Sequence, residues 1–254
     1  MSGFITEKEF LVQNNEVDKY NNIYPEMILS YLQDTAMEQS ENIGVGLEFL
    51  IKENLNWILI RYHVQILRYP QINEKIKVLT HAVGFNKMFA YRDFKVQNEE
   101  GKVLVTAGTQ WLLVDATSHK MLKIDDQFYK AYGVRREYKV PNKYEKLLSP
   151  EKDMITKKLS AGESDIDFNG HVNNTRYIAW VLDNVPEEIL RDYELKEFDI
   201  IYKKEILSGQ QITLYTQIQE TGADVKGLHE IINEQAEVSC CINTKWEKRI
   251  PDAK

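Results

Sequence analysis

From residue 164 to 174 the chain reads Ser-Asp-Ile-Asp-Phe-Asn-Gly-His-Val-Asn-Asn, with a carboxylate (Asp167), an amide (Asn169) and an imidazole (His171) at alternate positions. Alternate side chains on extended or turned backbone leave on one side, so the three can converge on a single reacting group. Such a set suits water addition to a carbonyl: the imidazole moves protons, the amide orients a reactant and the carboxylate steadies one of them. The segment runs directly into a helical pattern that Asn173 is placed to cap. Backbone N–H groups at that helix start, near Val172 and Asn173, are expected to face an oxyanion. The same residue types also make an ordinary turn plus cap.

The two halves of the chain bear on that choice. A shift of 149 residues places Asp18 on Asp167, Tyr31 on Trp180 and Asp34 on Asp183, and a shift of 135 places Val103 on Val238 and Trp111 on Trp246. Opposite Asp167, Asn169 and His171 the first half carries Asp18, Tyr20 and Asn22. One copy holds the full polar set and the other does not, an asymmetry that a capping turn alone does not need.

The elements that must position these groups follow one order twice. In the first half a strand is expected over 4–12, then a helix over 25–42 with Pro25 at its first position and Ile28, Leu29, Leu32, Ala36 and Met37 as its apolar stripe. Runs rich in β-branched and aromatic residues predict strands over 57–67, 75–83, 88–97 and 102–114. The second half predicts a strand over 154–161, a helix over 174–185 and strands over 197–206, 211–219, 227–233 and 236–246. A strand, a long helix and four sequential strands can wrap an antiparallel sheet around the helix, an α+β arrangement of the hot-dog type. Two tandem units are therefore expected to pair as a pseudo-dimer, 1–130 and 153–254. They are joined by a Pro-, Lys- and Glu-containing segment, 131–152, that includes Pro141, Asn142 and Pro150.

The motif D-x-N-x-H-V-N-N, followed by Tyr177 and Trp180 and then by Tyr202-Lys203-Lys204-Glu205, resembles the acyl-acyl carrier protein (acyl-ACP) thioesterases of plants and bacteria. Leu32-Gln33-Asp34-Thr35-Ala36 and Asn56-Trp57 extend the resemblance into the first half. It implies a hydrolase that releases fatty acid from acyl-ACP at the end of fatty acid synthesis. It further implies that Asp167, Asn169 and His171 belong to the catalytic network and that Glu205, on the Tyr-Lys-Lys-Glu strand, supplies a second carboxylate. Similar enzymes place the acyl chain in the N-terminal unit. Many plant members carry a cysteine directly after that glutamate; Ile206 stands there in this chain, so acylation of a cysteine at that position is excluded. Glu205 can activate water with His171 sharing the proton, or attack directly through an anhydride. Asp167 then holds either the imidazole or the Asn169 loop. A coenzyme A thioesterase and a non-catalytic acyl-binding module are the alternatives.

Composition narrows the classes further. The 254 residues carry 32 basic and 39 acidic side chains, net −7, which gives nucleic acid no general attraction. Local basic clusters at Arg135, Arg136 and Lys139, at Lys157 and Lys158, and at Lys203 and Lys204 are candidates for meeting an acidic carrier protein. No apolar run is long enough to span a membrane and the start lacks a leader pattern, so a cytoplasmic protein is expected, as monomer or homodimer. Cys240 and Cys241 are adjacent in an apolar run and read as packing residues. His63, His81, His119 and His229 lack metal-ligand spacing, and no phosphate loop or G-x-S-x-G occurs; no cofactor and no metal is expected.

Overall fold

The computed structural model describes residues 3–136, 144–222 and 224–249. The chain divides into two compact units, Met1–Tyr144 and Glu145–Lys254. In the first, β1 (Thr6–Leu11), β2 (Leu55–Ile66), β3 (Lys75–Asn86), β4 (Phe89–Asn98) and β5 (Val103–Asp115) form an antiparallel sheet in the order β1-β3-β4-β5-β2. In the second, β6 (Ile155–Ser160), β7 (Tyr193–Tyr202), β8 (Gln211–Thr221), β9 (Asp224–Asn233) and β10 (Val238–Lys248) repeat that order as β6-β8-β9-β10-β7.

The helix of the first unit, α1 (Pro25–Asn42), lies where Pro25 and the apolar spacing predict it. Ile28, Leu29, Leu32 and Ala36 are buried, whereas Met37 turns outward and Tyr31, Thr35 and Gln39 complete the buried face. Burial of this stripe, at about 25 cal/mol per Å² of apolar surface, rather than helix propensity, holds such a helix in place. Its counterpart α4 (Arg176–Leu182) has seven residues and stops short of the predicted 185. Asn184 and Val185 donate to the carbonyls three residues back, and Pro186, which has no N–H and crowds the preceding residue, turns the chain into α5 (Glu187–Asp192). The short helices α2 (Leu47–Lys52), α3 (Asp126–Tyr132) and α5 were not legible from periodicity because each is only six or seven residues long. Phe128 and Tyr132 of α3 pack with Val45, Phe85 and Leu113, so the first unit's core continues beyond residue 130. Of the joining segment, Pro141 and Asn142 lie outside the described residues. Residues 148–151 run over the second sheet: Leu148 pairs with the Asn243 amide, Ser149 donates to Glu230 and the Glu151 N–H donates to Gln217.

Each core contains a buried polar group held by hydrogen bonds with neighbouring elements. In the first unit Arg92 donates to Thr80 Oγ1 at 3.1 Å and to Gln39 Oε1 at 2.6 Å, tying β4 to β3 and to α1. In the second, His229 sits between Thr216 and Thr244 at 3.0 and 3.1 Å, fully buried, and burial pushes its pKa down to about 3. It is a satisfied strand residue, as its spacing suggested. Cys240 and Cys241 are buried with thiol pKa values raised by burial, which keeps them packing residues.

Candidate active site

The loop at 161–173 is fixed by its own backbone. A 3-10 turn, Glu163–Asp165, is followed by a tight turn in which the Asp167 N–H donates to the His171 carbonyl at 2.8 Å and the Gly170 N–H to the Asp167 carbonyl at 3.0 Å. Gly170 takes φ +82°, a left-handed conformation that glycine enters without a Cβ penalty. The Asp167 carboxylate accepts from the Asn169 N–H at 2.8 Å, so it braces the loop that carries the amide. Asp165 is buried and anchors the loop to the helix: its carboxylate accepts from the Gly162 N–H at 2.9 Å and from Arg176 Nε at 2.7 Å.

A second loop, 203–210, closes against the first. Val172 N–H donates to the Ile206 carbonyl at 2.8 Å, His171 and Leu207 form an isolated bridge, and Gly209 N–H donates to the Ala161 carbonyl at 2.8 Å. This clamp sets Glu205 Oε2 3.2 Å from His171 Nε2, both side chains partly open to solvent. The strand expected to carry Glu205 ends at Tyr202, so Glu205 stands on the loop after β7 and not on the strand. The break has a visible cause: the Lys203 and Lys204 N–H groups both donate to the Ser239 carbonyl, where the β9–β10 register also shifts, and ladder pairing cannot continue.

Beneath the two loops, Tyr177 and Tyr202 meet edge to face at 5.3 Å, and the Tyr202 hydroxyl donates to the Asn174 carbonyl at 2.8 Å. Tyr177 is buried; burial first, with the nearby Glu205 and Asp167 carboxylates adding to it, raises its pKa and keeps the hydroxyl neutral.

The expected oxyanion donors require correction. The Val172 N–H is spent on Ile206 and the Asn173 N–H on the Asp165 carbonyl at 2.8 Å, because the loop uses both to hold itself together. Asn173, expected to cap the helix, instead braces the turn before it, its side chain accepting from the N–H and hydroxyl of Thr175, which occupies the cap position of α4. Sequence reading also missed the Asp165–Arg176 pair. Its signal was an acid 11 residues before a base on the first turn of a helix, which only the loop's return makes legible.

The basic clusters are partly engaged. Arg136 pairs with Asp126 and covers the Tyr129 ring, Lys157 donates to the Asp183 carbonyl, and Lys204 pairs with Glu237 at 3.4 Å; Lys139 lies outside the described residues. Among the described residues, no helix is long and apolar enough to cross a membrane.

The first unit repeats the backbone bonds of this scaffold. Asp18 N–H donates to the Asn22 carbonyl, Asn21 N–H to the Asp18 carbonyl, Tyr20 N–H to the Asp18 carboxylate, Ile23 N–H to Pro70 and Asn73 N–H to Val12. Matching these bonds sets Tyr69 opposite Glu205 and Asn22 opposite His171, with Asn22 bridged to Gln71 as His171 is to Leu207. The polar quartet is thus confined to the second unit.

Residues 3–132 match the family model of the acyl-ACP thioesterase N-terminal domain, and residues 148–248 that of the C-terminal domain. The chain is 25% identical over 239 residues to a chloroplastic acyl-[acyl-carrier-protein] hydrolase of Cuphea viscosissima, covering 87% of this chain and 57% of that one. It is 26% identical over 226 residues to the chloroplastic oleoyl-acyl carrier protein thioesterase 2 of Arabidopsis thaliana, covering 80% and 60%. The chain therefore spans less than two thirds of the length of these relatives. Among solved structures, an acyl-ACP thioesterase from Bacteroides thetaiotaomicron superposes with a TM-score of 0.85 at 23% identity, over 96% of this chain and 98% of that one. The 12:0-ACP thioesterase from Umbellularia californica gives 0.83 at 20% identity, over 96% and 94%. These likenesses establish the fold as tandem hot-dog units. With the two family models together matching most of its length, the chain belongs to the acyl-ACP thioesterase family.

Proposed function

We propose that this protein hydrolyses fatty acyl-ACP thioesters to free fatty acid and carrier thiol, ending acyl elongation. The observation that carries the reading is the 3.2 Å contact of His171 with Glu205 across two clamped loops, present in one unit and replaced by Asn22 and Tyr69 in the other. In this reading Glu205 takes a proton from water, with His171 sharing it. The water oxygen adds to the thioester carbonyl carbon while the carbonyl π pair moves to oxygen. As that pair returns, the carbon–sulfur bond breaks and the departing thiolate receives the proton from the imidazole. The exposed Asn169 side-chain amide, on the loop braced by Asp167, is the donor for the developing oxyanion, since the Val172 and Asn173 N–H groups are occupied. Neither thiol is poised as a nucleophile, and Ile206, at the position after Glu205, is buried and inert.

The division of labour follows the same asymmetry: the second unit is catalytic and the first receives the acyl chain. All four side chains come from one unit of one chain, so either a monomer or a homodimer satisfies the chemistry. The test is hydrolysis across a series of acyl-ACPs by the wild type and by Glu205→Gln, with the matching coenzyme A esters at low and high salt. The wild type is expected to turn over acyl-ACP with salt-sensitive KM, and Glu205→Gln to lose most of kcat. Salt-insensitive preference for coenzyme A esters would overturn the carrier assignment. Acyl binding without turnover of any thioester would overturn the enzymatic one.

A further inference from the structure

We propose that Phe168 and Leu207 form an apolar lip that holds the neutral pantetheine arm of the substrate, whichever carrier bears it; the proposal rests on the thioesterase reading above. Phe168 is 72% exposed, the highest value for a large apolar side chain among the described residues, and Leu207 is 47% exposed. Both stand on the two loops that carry the polar quartet. Phe168 lies between Asp167 and Asn169 in the chain, and Leu207 is the bridge partner of His171.

The backbone does not ask for these residues. At the matching positions the first unit carries Lys19 and Gln71, and its loops make the same backbone–backbone hydrogen bonds and the same bridge. Polar side chains therefore serve these two loop positions equally well; the first unit exposes apolar surface elsewhere on its loops, at Tyr20 and Leu67, and only the second unit does so directly beside the histidine–glutamate contact. Exposed apolar side chains beside a reaction centre favour an occupant that removes them from water.

Charge selects which occupant. Asp167, Glu205, Glu163 and Glu237 are acidic neighbours on these loops or paired to them, and the cations beside them are engaged: Lys204 with Glu237, Arg176 with Asp165 and Lys203 with the Cys241 thiol. A phosphate or a carboxylate is disfavoured here, whereas amides and a geminal dimethyl group are not. The thioester sulfur ends such an arm, so a carbonyl that reaches His171 and Glu205 brings the arm with it.

The experiment gives the protein the first unit's residues, Phe168→Lys with Leu207→Gln, and assays one acyl chain on three carriers: acyl carrier protein, coenzyme A and N-acetylcysteamine, which keeps only the terminal amide of the arm. The expected result is a KM raised about tenfold for the first two, kcat within about twofold, and an unchanged N-acetylcysteamine thioester. Unchanged KM on all three carriers would overturn the proposal. So would a rise confined to the carrier protein, which would set the pair against that protein's own surface, or an equal loss on all three, which would mark a distorted site. Should the double variant fail to fold, Phe168→Ala alone, at so exposed a position, carries the same readouts. A wild type inactive on every carrier would instead remove the thioesterase reading, and this inference with it.

Discussion

The loop at Asp18–Asn22 and the loop at Asp167–His171 have one backbone and two chemistries. Each begins with a 3-10 turn, each folds an aspartate carboxylate onto the N–H two residues on, and each is clamped by the loop before the third strand of its unit. Left-handed positions recur too: Asn21 at φ 63° answers Gly170 at 82°, and Asn73 at 61° answers Gly209 at 78°. What differs is a handful of side chains, with Tyr20, Asn22 and Tyr69 against Asn169, His171 and Glu205. Duplicated hydrogen bonding supplies the same frame twice, and an imidazole facing a carboxylate is set on it only in the second unit.

The largest effect expected from breaking this pairing is on turnover. His171→Ala should lower kcat/KM by about 10² to 10⁴, the usual contribution of a positioned acid–base group, while the mirror variants Asn22→Ala and Tyr69→Phe stay within about threefold. Steady-state kinetics on acyl-ACP would check this, and equal losses from both units would show that the asymmetry is not functional.

A smaller effect separates the two cores. His229 is neutral when folded, with its pKa depressed to about 3 against 6.5 for the free side chain. As pH falls below 6.5 the unfolded chain binds a proton that the native state refuses, so stability declines from there toward pH 3. Between pH 6.5 and 4.5 the loss is about 2–3 kcal/mol, superposed on the carboxylate titrations. Urea melts should show a shallower decline for His229→Gln, whereas replacing Arg92 should leave the slope in this window unchanged. A His229→Gln slope identical to wild type would rule this out.

The smallest effect probes the shared backbone. Gly170→Asn, which imports the residue type of Asn21, should shift stability by no more than about 0.5 kcal/mol. Gly170→Val, forced into left-handed backbone, should cost about 1–3 kcal/mol. A Cβ at Gly170 meets open space, so thermal melts in which both variants lose stability alike would count against a purely conformational requirement.

Local signals made much of this legible. α1 was placed from Pro25 and its stripe because both act within a turn or two, and the long strands were placed from their β-branched runs. The short helices were not, since six or seven residues give too little periodicity. The candidate polar set was likewise drawn from the sequence, through spacing, internal repetition and resemblance, and the structure brings His171 and Glu205 of it into contact. Three things were decided only by tertiary structure. Glu205 left its strand because Lys203 and Lys204 found a common acceptor in Ser239, a residue 35 or more positions away. The Val172 and Asn173 N–H groups were consumed by Ile206 and Asp165, so a helix start that reads as open is in fact closed. The contact of His171 with Glu205, 34 residues apart, exists because one loop donates to the other's carbonyls. Residue types and local propensity are written along the chain, whereas which donor meets which acceptor is fixed only when distant segments exclude water and must satisfy their polar groups with each other.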